Sequence, residues 1–194
     1  MLSSGTAFHG RPFRVREDEE LLERARSIDS AVEAARKDFV VFLLGSGYPT
    51  RALELRKNAA EALKRRGYNI VVMEEVDSVP LDDSEKALIN DKFWEVVNEY
   101  QPSLFLILVS QSKPPPTGVV YELGLLVGKY GREGAVRRIR FCIAEKVDRL
   151  EALPRYVREL LREIPEYPYR DGDFDHMVSV LEDAVIAAIV EKLF

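Results

Sequence analysis

The sequence predicts an α/β fold: a flavodoxin-like, doubly wound parallel sheet of about five strands in the order 2-1-3-4-5, with an additional N-terminal helix. Three observations carry this. The apolar runs Phe39–Leu44, Ile70–Met73, Leu104–Val109 and Ile139–Ala144 are continuous rather than alternating, as in strands buried on both faces. Stretches of helical length and composition separate them, and strand–helix alternation demands right-handed crossovers over a sheet covered on both sides. The first run stops at Gly45-Ser46-Gly47 and the third at a loop holding Pro114, Pro115 and Pro116, which is turn chemistry at strand ends.

The elements follow in order. Residues 1–16 are polar, with Gly5, Gly10 and Pro12, and are expected to be flexible. Residues 17–36 open with acids, and Leu21, Leu22, Ala25, Ile28, Val32 and Ala35 recur at helical spacing. This helix should pack on the rest of the domain or on a second subunit. After the first strand, Thr50–Arg66 reads as an amphipathic helix stopped by Gly67. Asp82 and Asp83 follow Pro80 and mark the start of a helix that runs to about Tyr100, before Pro102. A helix from about Val119 to Tyr130 follows the third strand. Its glycines Gly124 and Gly128, four apart, are expected to let it approach a neighbour closely. A short helix near Arg155–Arg162, a short fifth strand at Tyr167–Arg170 and a final helix near Asp173–Leu193 complete the chain. One domain suits the 194 residues: 17–194, with a core over 38–145 and a helical part over 146–194.

Composition narrows the function. Net charge is −5, which argues against broad nucleic-acid binding, since such binders usually show a basic domain or face. No apolar run reaches the roughly 20 residues of a membrane span, and the first residues lack the apolar core of a signal peptide, so a cytoplasmic location is expected. The single cysteine, Cys142, allows no internal disulfide and sits in an apolar strand, where it reads as a small buried hydrophobe. His9 and His176 are the only histidines, so no metal site is expected.

In the 2-1-3-4-5 order the winding reverses between strands one and three, and ligands bind outside the carboxyl ends of the strands at such a point. The loops Gly45–Pro49 and Ser110–Thr117 border it. Gly45 and Gly47 would let backbone N–H groups approach an anion, although GSGYPT lacks the third glycine of a dinucleotide fingerprint. Tyr48 could stack on a base or cap the sheet edge; Trp94 could stack too, but reads more simply as core. Glu122 falls near the start of a helix made apolar by Tyr121, Leu123, Leu125, Leu126 and Val127. It reads either as an acid matched to the helix dipole or as a carboxylate facing the crevice. Arg132, Arg137, Arg138 and Arg140 cluster after this helix and read as a solvated face.

The run Gly118-Val-Val-Tyr121-Glu122-Leu-Gly124, followed by Gly128-Lys-Tyr-Gly131-Arg132-Glu133, resembles the signature of the TIR-like family of nucleotide-binding proteins, in its bacterial immune-effector branch. Its shorter core, small residue–x–x–aromatic–Glu-Leu-Gly, also resembles nucleoside 2-deoxyribosyltransferases. Ahead of the signature the loop SKPPPTG offers Lys113 as its one cation. The resemblance implies that Glu122 is catalytic, for cleaving the nicotinamide–ribose bond of NAD or for attack on an anomeric carbon. It implies nucleotide contacts from Gly45, Ser46, Gly47, Tyr48, Ser110, Gly118 and Tyr121. No cofactor is expected beyond NAD, a nucleoside or a nucleotide as substrate. The alternatives are a deoxyribosyltransferase-like enzyme and a non-catalytic nucleotide-sensing module. The expected partners are a small nucleotide ligand and a second copy of the chain, the latter through the helices 17–36 and 173–193.

Overall fold

A computed structural model describes residues 13–45, 50–73, 85–110, 117–145, 159–160 and 162–194. Helix α1 spans Phe13–Ala35, β1 Val40–Gly45, α2 Thr50–Arg65, β2 Asn69–Val71, α3 Glu85–Tyr100, β3 Leu104–Val109, α4 Thr117–Arg138, β4 Ile139–Ala144, β5 Glu166–Tyr169 and α5 Phe174–Leu193. All five strands are parallel and lie in the order β2-β1-β3-β4-β5, as the alternation predicts.

Strand parity divides the interior into two cores. Val41 and Leu43 of β1, Leu104, Leu106 and Leu108 of β3, and Cys142 and Ala144 of β4 face one side, where α2 and α5 cover them. Phe42 and Leu44, Phe105 and Ile107, and Phe141 and Ile143 face the other side, under α3 and α4. Each such valine, leucine, isoleucine or phenylalanine is worth about 1.5–3 kcal/mol when fully buried. Both sides need that burial, which is why the runs are continuous.

Local chemistry sets the helix ends. Gly67 takes φ +88°; its N–H donates to the Lys64 carbonyl at 2.9 Å and that of Tyr68 to Leu63 at 3.2 Å, closing α2 with a Schellman turn. Asp173 caps α5 by accepting from the His176 N–H at 3.0 Å.

The structure corrects several expectations. Helix α1 begins at Phe13, four residues ahead of the expected start at residue 17. Only its last turns dock, with Val32 buried and residues 19–30 exposed. The helix after β3 starts at Thr117, breaks at Gly131 (φ 69°, ψ 172°) and resumes to Arg138. Gly124 and Gly128 do not mediate close packing. Both are exposed, and a methyl group added at either meets nothing within 4 Å. Val119, Leu123 and Leu126 set the buried face, and the glycines fall outside it.

Arg140 is not on a solvated face either. Its strand position points it inward, where it is 1% exposed, donates to the carbonyl of Ile139 at 2.8 Å and pairs with Glu191. Arg132, by contrast, is exposed and pairs with Glu163 at 2.5 Å. Asp82, Asp83 and most of the helix expected at Arg155–Arg162 lie outside the described residues.

Candidate active site

The winding reverses between β1 and β3, and the carboxyl ends of these strands border the crevice that the strand order predicts. Gly45 ends β1 opposite Leu108 of β3. Its φ is +153°, and a Cβ there would lie 2.6 Å from the Leu108 carbonyl oxygen. Only glycine fits, because the obstructing atom is backbone in a paired strand.

The Gly45 carbonyl accepts a hydrogen bond of 2.5 Å from Nη1 of Arg56, which is 2% exposed on α2. Arg56 was not among the residues the sequence singled out. The available signal was its place in the stripe Ala52, Arg56, Ala59, Leu63, where the other three are buried apolar residues. An arginine at the centre of an apolar stripe is held there by a partner, here the turn after β1.

β5 is tied to the same edge. The Tyr169 hydroxyl donates to the Val109 carbonyl at 3.3 Å, across the intervening β4. Burial, with the charge of Asp171, pushes its phenol well above the ordinary range. Beside it opens a cleft of about 540 Å³ between the first turns of α2 and α5, lined by Arg51, Leu55, Ser110, Tyr169, Asp171 and Phe174. That volume suits a small organic ligand.

Glu122 stands on the opposite side of the sheet, six residues into α4 and 5% exposed. The dipole effect fades within the first turn, so it accounts poorly for an acid in the second. Taking a carboxylate out of water costs several kcal/mol unless it is compensated. Among the described residues Glu122 is the one buried carboxylate; the other buried charges are Arg56 and Arg140.

Of the remaining candidates, Ser110 lines the 540 Å³ cleft, whereas Glu122, Gly45, Gly118 and Tyr121 do not. Gly118 is exposed and Tyr121 is 49% exposed, both on the outer side of α4. Trp94 is partly buried against the α3–α4 core, edge-on to Phe93 at 5.2 Å, with the Lys129 ammonium 5.1 Å from its ring. Ser46, Gly47, Tyr48 and Lys113 lie outside the described residues. Among the described residues no group of three or more His, Cys, Asp or Glu could hold a metal ion, and no helix is long and apolar enough to cross a membrane.

No family model matches the chain, and no curated protein matches it in sequence. Among solved structures it is similar to a conserved protein from Enterococcus faecalis V583, with a TM-score of 0.51 and 12% identity, over 75% of this chain and 98% of that one. It is also similar to the CMP N-glycosidase BcmB of Clostridium botulinum, with a TM-score of 0.46 and 14% identity, again over 75% and 98%. At 12% identity the likeness to the Enterococcus protein shows a shared fold and stops there.

Proposed function

We propose that the protein binds a nucleotide where β1 and β3 diverge and hydrolyses its N-glycosidic bond, with NAD as substrate and Glu122 as the carboxylate at ribose C1′. The observation that carries this reading is the burial of Glu122, alone among the described carboxylates, in the helix that follows β3. The TIR-like signature around it, Gly118 to Glu133, supports the same assignment.

The chemistry needs little else. As the C1′–N bond breaks, its electron pair leaves with the base and positive charge develops on the ribose ring. Glu122 stabilises that charge from a site where water does not screen it. Nicotinamide departs from a pyridinium cation as a neutral molecule, so no acid has to protonate it. Water then adds at C1′ and releases a proton, giving ADP-ribose, nicotinamide and H⁺. One carboxylate therefore suffices for NAD, whereas an uncharged nucleoside would need a second group to protonate its base. Backbone amides of Gly45–Gly47 and the Ser110 hydroxyl are assigned to phosphate and ribose.

The test is nicotinamide release from NAD by the wild type and by Glu122→Gln, with circular dichroism confirming that both fold. The variant should be slower by at least about 100-fold. Equal rates would remove Glu122 from the reaction. Base exchange between nucleosides would replace hydrolysis by transfer, and an NAD-induced rise in melting temperature without turnover would make the protein a sensor.

A further inference from the structure

Helix α1 docks only by its C-terminal turns, where Val32 is 6% exposed and Ala35 packs against the α2–α5 core. Residues 19–30 are exposed on every side. That stretch is not polar throughout: Leu21 is 63% exposed, Leu22 57% and Ile28 38%. Most helical stability in proteins comes from packing of an apolar face, which this exposed stretch does not bury among the described residues. Leu21, Leu22 and Ile28 leave apolar surface on this stretch open to solvent.

The spacing identifies the partner. Leu21, Ala25, Ile28, Val32 and Ala35 follow one another at intervals of four, three, four and three, the seam of a left-handed coiled coil. The inner end of this seam is used within the chain, and the outer end continues beyond it. With Ala25 at an a position and Leu21 and Ile28 at d, the flanking positions are Leu22 and Asp29 at e and Arg24 at g. In a parallel two-stranded coil each g residue faces the e residue five positions further along the other helix. Arg24 then meets Asp29 of the partner subunit, twice by symmetry. Five residues apart on one helix they sit about 140° round the axis from each other and cannot pair within a chain.

We propose that the exposed part of α1 is a self-association element. It pairs in parallel with the same segment of a second copy, Leu21, Ala25 and Ile28 forming the seam and Arg24–Asp29 its flanking ion pairs. The assignment is independent of Glu122 and of any activity.

Sedimentation velocity over a dilution series tests it. The wild type should show twice the 22.1 kDa of one chain at the concentrated end. Leu21→Glu and Ile28→Glu, at exposed positions that leave the fold intact, should be monomers with unchanged core melting. Arg24→Glu and Asp29→Arg should each weaken the dimer roughly tenfold, by placing like charges opposite each other, and the double variant should recover it. Ile28→Cys should form a disulfide with its own counterpart, as only a parallel, in-register pair allows; Cys142 is buried and does not compete. A single-chain mass throughout, a dimer that survives Ile28→Glu, or charge swaps without mutual rescue would overturn the proposal.

Discussion

Replacing Gly45 by alanine should destabilise the protein severely, and replacing Gly124 or Gly128 should do the reverse. At Gly45 two penalties combine. The φ of +153° lies in a region that side-chain-bearing residues occupy at about 1–3 kcal/mol of strain. The new methyl would also stand 2.6 Å from the Leu108 carbonyl oxygen, and forcing a group into packed structure costs about 1–3 kcal/mol. The sum is about 2–6 kcal/mol, which for a chain of this size lowers the melting temperature by roughly 5–20 °C. At Gly124 and Gly128 nothing lies within 4 Å and the backbone is helical, so alanine should gain about 0.5–1 kcal/mol at each. Thermal and urea unfolding followed by circular dichroism read all three. A Gly45→Ala protein that melts with the wild type would refute the geometry at the end of β1. A destabilised Gly124→Ala would show that α4 packs closely through its glycines after all.

Two further outcomes follow from the same edge and its surroundings. Arg56→Met keeps the side-chain volume but removes the charged donor from the Gly45 carbonyl, and should cost about 1.5–3 kcal/mol in urea unfolding, whereas exposed Arg51→Ala should stay within about 0.5 kcal/mol; equal effects would refute the distinction. Stability should fall above about pH 10, the ordinary tyrosine pKa. Burial raises the phenol pKa of Tyr68, Tyr130, Tyr167 and Tyr169 in the folded chain, the Glu182 hydrogen bond adding to Tyr68 and the Asp171 charge to Tyr169. The unfolded chain therefore ionises first, and stabilisation complete below pH 10 is lost as pH rises through the folded values. Urea midpoints at pH 9 and 11 should differ in the wild type and differ less in Tyr68→Phe/Tyr169→Phe, which keeps Tyr130 and Tyr167; a flat wild-type profile would refute the shifts.

The sheet was legible because strands covered on both faces leave no room for polar residues. Leu104–Val109 and Ile139–Ala144 are read without ambiguity, apart from the arginine. Arg140 looked like surface because residue type alone does not report strand parity, and the strand turns that side chain toward Glu191. Arg56 was hidden in the same way, as one charge on a helix assumed to be polar on one side. The burial of Glu122 could be anticipated from its apolar neighbours, but the expected close approach through the glycines is not found: they lie on the solvent side, and Val119, Leu123 and Leu126 hold the helix down. A glycine pair four apart signals close approach only if its phase matches the packed stripe. Here the phase depends on the sheet beneath, which no local pattern encodes.

The division of alternate strand residues between two clusters has an evolutionary corollary. Phe42 and Leu43 are adjacent along the chain but belong to separate cores. The half bearing Glu122 and the half that anchors α1 are thus walled off by a single layer of backbone. Mutations accumulating in one chamber leave the filling of the other untouched. A lineage can therefore vary the packing on one side of the sheet while that on the other drifts at a separate pace.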